Sequence, residues 1–173
     1  ILTNQNLIEN GTVIDKLLQS LIITSVDYNN LLLGDKNAIL IAARILGYGS
    51  DYKFKYQGEE HNIDLTNIND KSLDESLITE GKNDFNFKLP ASGVEITFKL
   101  LTHGDEINIA NEVKGLKKLN KNSNPEISTR MKYIITSING DYEKKTVREF
   151  VDTKLLARDS RALRNYINTV QPD

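Results

Sequence analysis

The sequence predicts an α+β protein, with helical N-terminal and C-terminal parts around two antiparallel β-hairpins that form a small sheet. Two observations predict this class. Apolar residues recur at helical spacing near both ends of the chain, and they alternate with polar residues between about residues 51 and 100. The changes of period divide the chain into residues 1–50, 51–101 and 102–173. We expect these parts to form one compact domain, because 173 residues is an ordinary domain length.

The first part of the chain predicts two helices. Thr12 and Asp15 fit a capping box, and apolar residues follow at helical spacing over Val13–Leu21. A second helix is predicted to begin near Asp35, whose charge suits a helix N-terminus, and to end at the glycines of residues 47–49. Because this helix is apolar on nearly every side, we expect it to be central and buried.

The middle part predicts two hairpins. Aromatic residues alternate with lysines over residues 52–56, a turn follows at Gln57-Gly58-Glu59-Glu60, and residues 62–65 return as a strand. A stronger hairpin spans residues 85–100, where each strand has one apolar face, so one side of the sheet should pack and the other should meet water. The polar stretch at residues 66–82 is predicted to be a loop with at most one helical turn.

The last part predicts four helices. One begins at a capping box formed by Thr102 and Asp105 and ends near Lys118. After a loop at residues 121–125, the second runs from about Ile127 to Gly140. The remaining two are predicted over residues 146–153 and 159–170.

The residue types exclude most catalytic chemistry. The absence of cysteine excludes disulfides, thiolate catalysis and cysteine-based zinc sites. The two histidines, His61 and His103, lack the spacing of metal ligands. The glycines at residues 47–49 follow a helix, whereas a phosphate-binding loop precedes one. Adjacent carboxylates such as Glu59 and Glu60 do not predict an acid–base pair across a cleft. We therefore expect no enzymatic activity, no cofactor, no metal and no small-molecule substrate.

The charges of the chain are unevenly distributed although its net charge is only −2. Residues 51–106 contain 12 acidic and 6 basic residues, whereas residues 144–164 contain 7 basic and 3 acidic ones. Opposite poles of this kind suit contacts with partner proteins. Nucleic-acid binding by the basic segment is the less favoured alternative, and no apolar stretch has the length of a membrane span.

Among the polar residues, the arginines most clearly require partners for their charges. Arg44 is the only charge inside the apolar stretch of the second predicted helix, so we expect it to have a buried or half-buried partner within the chain. Three more arginines line the start of the last helix: Arg158, Arg161 and Arg164. They either pair inside the chain, with Asp152 or Asp159, or contact an acidic partner, and the sequence favours neither.

Two segments carry a family resemblance. Residues 30–49 combine an apolar pair, Gly34-Asp35 with a basic residue, an apolar helix containing Arg44, and a Tyr48-Gly49 stop before a strand. Residues 155–164 read Leu-Leu-Ala-Arg-Asp-Ser-Arg-Ala-Leu-Arg, and Tyr166-Ile167 and Pro172-Asp173 follow. In these segments, and in the order of elements between them, residues 12–173 resemble the T4-like bacteriophage baseplate proteins that are associated with hub assembly.

The resemblance implies a non-enzymatic structural or assembly protein of a contractile phage tail baseplate. Its partners would be other hub or wedge proteins, and its location the virion or the host cytoplasm during assembly. A tail assembly chaperone that is absent from the mature virion is the alternative. The residues that the resemblance places at a protein interface, or in the core that supports one, are Gly34, Asp35, Arg44, Tyr48, Gly49, Arg158, Asp159, Arg161 and Arg164.

The chain also departs from that family. Relatives are expected to carry a CxxC-like pair in the first hairpin, where this chain reads Gln57-Gly58-Glu59-Glu60, so no zinc knuckle is expected here. The chain begins with Ile1 rather than Met and stops soon after a predicted helix. We therefore expect further residues at the N-terminus, and an extension at the C-terminus, in the natural protein.

Overall fold

The computed structural model describes residues 1–68, 71, 73, 75–120 and 124–171. Helices and two small antiparallel sheets make this an α+β protein, which confirms the predicted fold class. The chain divides into two compact units: unit 1 is Ile1–Lys71 with Pro172–Asp173, and unit 2 is Ser72–Gln171. The expectation of one sheet is wrong, because each predicted hairpin satisfies its backbone hydrogen bonds in a sheet of its own, of two and three strands respectively.

Parts of three predicted segments lie outside the described residues. In the polar stretch at residues 66–82 these are Asn69, Asp70, Ser72 and Asp74, and the rest of the stretch includes a short 3-10 turn at Glu75–Leu77. In the loop predicted before the second C-terminal helix, residues 121–123 are outside, and at the C-terminus Pro172 and Asp173 are outside.

Unit 1 contains three helices and one hairpin. In chain order they are α1 (Gln5–Glu9), α2 (Val13–Leu21), a 3-10 turn (Tyr28–Asn30), α3 (Leu33–Tyr48), β1 (Asp51–Tyr56), β2 (Glu59–Asp64) and a 3-10 turn (Leu65–Asn67). The capping box predicted at Thr12 is wrong, because its side chain makes no capping hydrogen bond. The backbone at Thr12, with φ −103° and ψ 3°, is not in the extended conformation that aims a capping oxygen at the first turn.

One polar cluster joins α2 to α3. The Tyr28 hydroxyl donates to the Asp15 carboxylate at 2.7 Å, and the Lys36 ammonium lies 2.6 Å from the same carboxylate. The Lys36 ammonium also lies 5.5 Å from the centre of the Tyr28 ring. Burial, with the hydrogen bond to Asp15, raises the pKa of Tyr28. The neutral phenol is therefore the stable form, and it anchors the turn between the two helices.

Helix α3 is less buried than the sequence predicts. Of its 16 residues only Gly34 is buried, whereas the side chain of Leu33 is 54% exposed and that of Leu46 is 88% exposed. Its main neighbours in unit 1 are α2 and the turn at Leu65–Asn67. These short elements cover only part of a helix that is apolar on nearly every side, so much of its apolar surface faces solvent.

The β1–β2 hairpin places its aromatic residues on one face. Gln57 and Gly58 both have positive φ, 51° and 88°, as in the mirror-image two-residue turns that match strand twist. The register pairs Phe54 with His61. Because side chains alternate along a strand, one face of the hairpin carries a set of mostly aromatic residues. This set is Tyr52, Phe54, Tyr56, His61 and Ile63, with Glu59 opposite Tyr56 on the same face.

Unit 2 is built from a three-stranded antiparallel sheet and four helices. In chain order they are β3 (Phe85–Lys88), β4 (Glu95–Phe98), α4 (His103–Leu119), α5 (Glu126–Ile134), β5 (Ile135–Ile138), α6 (Lys144–Thr153) and α7 (Ala157–Val170). Strand β4 lies between β3 and β5. The predicted capping box of α4 is confirmed: the Thr102 hydroxyl accepts from the Asp105 amide at 3.3 Å, and Asp105 accepts from the Thr102 amide at 3.1 Å.

The helix predicted from Ile127 to Gly140 is wrong in its second half. The helix ends at Ile134, and β5 follows without a break because its backbone pairs with β4, Ile138 opposite Ile96. Asn139 and Gly140 then turn the chain with φ of 49° and 83°. The spacing of the apolar residues here is compatible with either a helix or a strand. The strand forms because the unpaired backbone groups of β4 hydrogen-bond to it.

The core of unit 2 lies on one face of its sheet, as the alternation predicts. Phe85, Ile96 and Phe98 are buried there. Tyr166 of α7 stacks on Phe87 at 4.8 Å between ring centres and meets the edge of Phe98 at 5.9 Å. Other buried apolar residues come from all four helices and from β5, and include Ile109, Met131, Ile138, Val147, Phe150, Leu163 and Val170.

A buried carboxylate fixes the tip of the β3–β4 hairpin to the start of α7. Asp159 is fully buried in the first turn of α7. Its two carboxylate oxygens accept from the backbone amides of Ala91, at 2.7 Å, and Ser92, at 3.0 Å. The unpaired amides at a helix N-terminus also favour a negative charge at this position. The loop that connects β3 and β4 is therefore held by a side chain that lies far along the sequence.

We predict that Asp159→Asn lowers the free energy of unfolding of unit 2 by about 3 kcal/mol, because an amide nitrogen then faces a backbone N–H and leaves a buried donor unpaired. Urea titration followed by circular dichroism measures the loss. The neighbouring change Arg158→Ala, at an exposed side chain, is the control and should stay within about 0.5 kcal/mol of wild type. An equally small effect of Asp159→Asn would contradict the anchoring role.

Candidate functional site

Six side chains of unit 1 stack in series from the end of α3 along one face of the hairpin. In order they are Tyr48, Arg44, Tyr52, Phe54, His61 and Tyr56, and we call this set the aromatic ladder. The Arg44 guanidinium lies 5.1 Å from the Tyr48 ring centre and 5.8 Å from that of Tyr52. Successive ring centres then lie 5.7, 5.4 and 6.3 Å apart. These are ordinary distances for cation–π and aromatic contacts, so the set forms one continuous surface.

Arg44 holds the corner between α3 and β1. Its guanidinium donates to the backbone carbonyl oxygens of Gly49, at 2.9 Å, and Asp51, at 3.2 Å. Gly49 ends the helix with φ 83°, a conformation that a residue with a side chain rarely adopts. The partners of this half-buried arginine are thus main-chain carbonyls of the same chain, and they fix its guanidinium plane between the two tyrosine rings.

The tyrosines of the aromatic ladder face solvent. Their exposed fractions are 78% for Tyr48, 43% for Tyr52 and 61% for Tyr56, and Ile63, on the same face of the hairpin, is also exposed. Tyrosine and arginine are the residue types that contribute most energy in protein interfaces. A tyrosine also loses little conformational entropy on binding, because it has only two side-chain torsions. The arrangement is suited to contact with another protein.

Gly34 and Asp35 occupy the first turn of α3, away from the aromatic ladder along the helix. Gly34 is buried. The Asp35 carboxylate accepts from the backbone amide of Leu32 at 2.9 Å. Both residues therefore determine where the helix begins, and the charge of Asp35 meets the unpaired amides there.

The three arginines of α7 are exposed on its surface. Arg164 donates to the carbonyl oxygen of Ser160 at 3.4 Å, one turn earlier in the same helix. Arg158 and Arg161 make neither a hydrogen bond nor an ion pair with any residue that the structure describes. Their charges therefore remain available to solvent or to a partner.

The intrachain partners proposed for these arginines from the sequence are wrong. Asp159 is occupied by the two amides of the β3–β4 loop, and its burial separates it from exposed side chains. Asp152 forms an ion pair with Lys132 of α5 at 2.7 Å. Proximity in sequence was misleading because consecutive helical residues point to different sides of the helix.

A second polar cluster joins three helices of unit 2. Arg148 of α6 donates through both terminal nitrogens to Glu112 of α4, each at 2.8 Å, and the Tyr133 hydroxyl of α5 donates to the same carboxylate at 3.1 Å. The hydrogen bonds from Arg148 lower the pKa of Glu112. Burial, followed by the bond to Glu112, raises the pKa of Tyr133. The ionised carboxylate of Glu112 and the neutral phenol of Tyr133 are thus both stabilised. A cluster of this kind is suited to holding the three helices together.

The residues that the structure describes contain no cluster of three or more histidine, cysteine, aspartate or glutamate residues placed to hold a metal ion. Nor does any helix within them combine the length and apolarity needed to cross a bilayer. Comparison with family models, curated protein sequences and solved structures finds no match to this chain.

Sequence reasoning singled out Arg44, Tyr48 and Gly49 but missed the rest of the aromatic ladder. The signal was present in the alternation over residues 52–56, which places three rings on one face of β1. The alternation does not reveal whether another element covers that face. The Glu112–Arg148 pair was also missed, since its members are 36 positions apart and no local pattern joins them.

We predict that Glu112→Gln lowers the melting temperature at pH 7 and that the difference from wild type shrinks as the pH falls toward 3. The hydrogen bonds from Arg148 hold the pKa of Glu112 in the folded protein below the ordinary value of a glutamate. The ionised carboxylate therefore adds stability above that ordinary value, and this stability is lost as the pH falls through the folded pKa. Calorimetry between pH 3 and 7 measures this. Glu80→Gln, at an exposed carboxylate, is the control, and a difference that does not change with pH would contradict the assignment.

Proposed function

We propose that this chain is a non-enzymatic structural or assembly protein of a contractile phage tail baseplate, and that it acts through protein–protein contacts. The observation that carries the proposal is the solvent-facing aromatic ladder of unit 1. Rings that are held in place by Arg44 and the hairpin, yet remain exposed, are the pattern expected of a surface that a partner covers.

The energetics of the aromatic ladder favour a partner of macromolecular size. Each large side chain that passes from water to a packed interface contributes about 1.5–3 kcal/mol. Three tyrosines with Ile63, which shares the face of the hairpin, therefore supply enough apolar surface for the centre of an interface. Arg44 is already ordered by its two carbonyl contacts, so little of this energy is lost in immobilising its long side chain.

The polar groups of unit 2 support a non-enzymatic role. Glu112 with Arg148, and Glu106 with Arg130 at 2.9 Å, form two-point ion pairs between helices. Catalytic carboxylates instead need environments that separate their pKa values across a cleft. Carboxylates that are engaged by arginines in this way are suited to fixing helix positions.

The resemblance of residues 30–49 and 155–164 to baseplate hub assembly proteins supports the identity of the partners. In the first segment, Arg44, Tyr48 and Gly49 build the corner and one end of the aromatic ladder. In the second, Asp159 anchors the β3–β4 hairpin. We accordingly propose other hub or wedge proteins as partners, in the virion or in the host cytoplasm during assembly.

Mass spectrometry of purified contractile tails and of assembly intermediates from infected cells tests the proposal directly. A structural role predicts peptides of this chain in the tails at a constant ratio to known baseplate proteins. A tail assembly chaperone predicts the same peptides in the intermediates and not in the finished tails. Absence from both fractions, while the protein is present in the lysate, would overturn the proposal.

We predict that the double change Tyr48→Ser and Tyr56→Ser reduces co-purification of baseplate proteins with the tagged chain at least tenfold and leaves its circular dichroism unchanged. Both rings are mostly exposed, so their loss removes contact surface and little folding energy. Leu119→Ser, which removes an 85% exposed apolar side chain outside the aromatic ladder, should have no effect. Normal co-purification of the double variant would rule out this surface.

A further inference from the structure

Helices α4 and α5 of unit 2 form an open groove of about 700 Å³. Ala110 and the half-buried Val113 of α4 provide apolar surface within it, and Ile109 also lines it but is only 2% exposed. The side chains that line the groove toward the end of the same helix are all basic: Lys114, Lys117 and Lys118. We call this feature the α4–α5 groove. Glu106 of α4 and Glu126 and Arg130 of α5 complete the lining. A concave surface that combines apolar side chains with a few charged groups has the composition of a binding site.

The α4–α5 groove has the length of a short helix. Its lining residues on α4 fall into two adjacent rows at four-residue steps, one from Glu106 to Lys118 and one from Ile109 to Lys117. Residues at such steps lie on one face of a helix. At 1.5 Å per residue, the longer row extends about 18 Å, which matches about three turns of a partner helix.

Of the six charged side chains that line the groove, four are basic and two, Glu106 and Glu126, are acidic, so the lining carries a net positive charge. Arg130 of α5, which lines the opposite end, is paired through both terminal nitrogens with Glu106, and this ion pair fixes α5 against α4. Lys114, Lys117 and Lys118, by contrast, make no hydrogen bond or ion pair with the residues that the structure describes. Cations in the last turn of a helix also interact favourably with its dipole. That effect applies to Lys117 and Lys118, but it does not account for Lys114 or for the apolar surface beside it.

We infer that the α4–α5 groove binds an amphipathic helix of a partner protein, with apolar residues on its inner face and carboxylates on its flanks. Apolar side chains at helical spacing would cover Ala110 and Val113, and acidic residues would pair with the three lysines. The apolar surface favours a peptide over nucleic acid, which would need a track of basic residues along a phosphate backbone. The inference goes beyond the proposed function: it concerns unit 2, and it does not depend on the partner belonging to a baseplate.

Fluorescence anisotropy with synthetic peptides tests this inference on the full chain. The first probe is a labelled helical peptide of about four turns, with leucine at positions i, i+3, i+4 and i+7 and glutamate at most other positions. The second probe keeps the leucines and replaces each glutamate with lysine. A labelled single-stranded DNA is the third probe. Lys114→Glu with Lys117→Glu is the test variant, and Lys144→Glu with Lys145→Glu, at two exposed lysines of α6, is its charge-matched control.

We expect the glutamate peptide to bind wild type, to bind the test variant at least tenfold more weakly, and to bind the control variant within twofold of wild type. Ala110→Gln, which keeps the charge of the groove and adds a polar side chain to its apolar surface, should also weaken binding at least threefold. This second variant keeps the test decisive if the double charge reversal disturbs folding.

Three outcomes would overturn the inference. The first is no binding of the glutamate peptide at millimolar concentration. The second is equal binding of the glutamate and lysine peptides, which would remove the role of charge. The third is binding of the DNA that is tighter than that of the glutamate peptide and is lost in the test variant, which would assign the lysines to nucleic acid instead.

Discussion

The buried carboxylate of Asp159 is the constraint on which unit 2 depends. A fully buried charge is tolerated only where hydrogen-bond donors surround it, and here the donors are two consecutive backbone amides of the β3–β4 loop. With the hairpin tip fixed to the first turn of α7, Tyr166 meets Phe87 and Phe98 on the apolar face of the sheet. The Glu112–Arg148 pair then joins α4 to α6, and the Glu106–Arg130 pair fixes α5 against α4 beside the α4–α5 groove.

In unit 1, by contrast, part of the apolar surface is left uncovered. Its longest element, α3, is apolar on nearly every side, yet the described residues of the unit provide only short helices and one two-stranded hairpin to cover it. The Asp15–Tyr28–Lys36 cluster holds one end of α3, and Arg44 closes the other end against β1. The apolar surface that remains, with the rings of the hairpin, faces solvent. Exposed apolar surface of this kind is typical of interaction sites, and it is the surface that we propose a partner covers.

The sequence predicts those features of the fold that depend on local patterns. The α+β class, α2, the Thr102 capping box and both hairpin turns follow from periodicity, capping residues and turn residues, and each is present. Features that depend on distant partners were missed or mistaken. Strand β5 exists because β4 offers unpaired backbone groups, and Asp159 is buried because a loop more than 60 positions away supplies its donors. Arg44 and Tyr48 could be identified as site residues from the sequence, but their exposure to solvent could not. The periodicity of the sequence shows which residues share a face of a helix or strand, and it does not show whether another element covers that face.

Hydroxyl-radical footprinting of the tyrosines, in the isolated chain and in its complexes from infected cells, tests most directly whether the aromatic ladder is the protein-binding surface. The account predicts that oxidation of Tyr48, Tyr52 and Tyr56 falls several-fold in the complexes. Oxidation of Tyr142, which is 63% exposed in unit 2, should stay unchanged and serves as the internal reference. Equal oxidation of the three ladder tyrosines in the isolated chain and in every complex would contradict it.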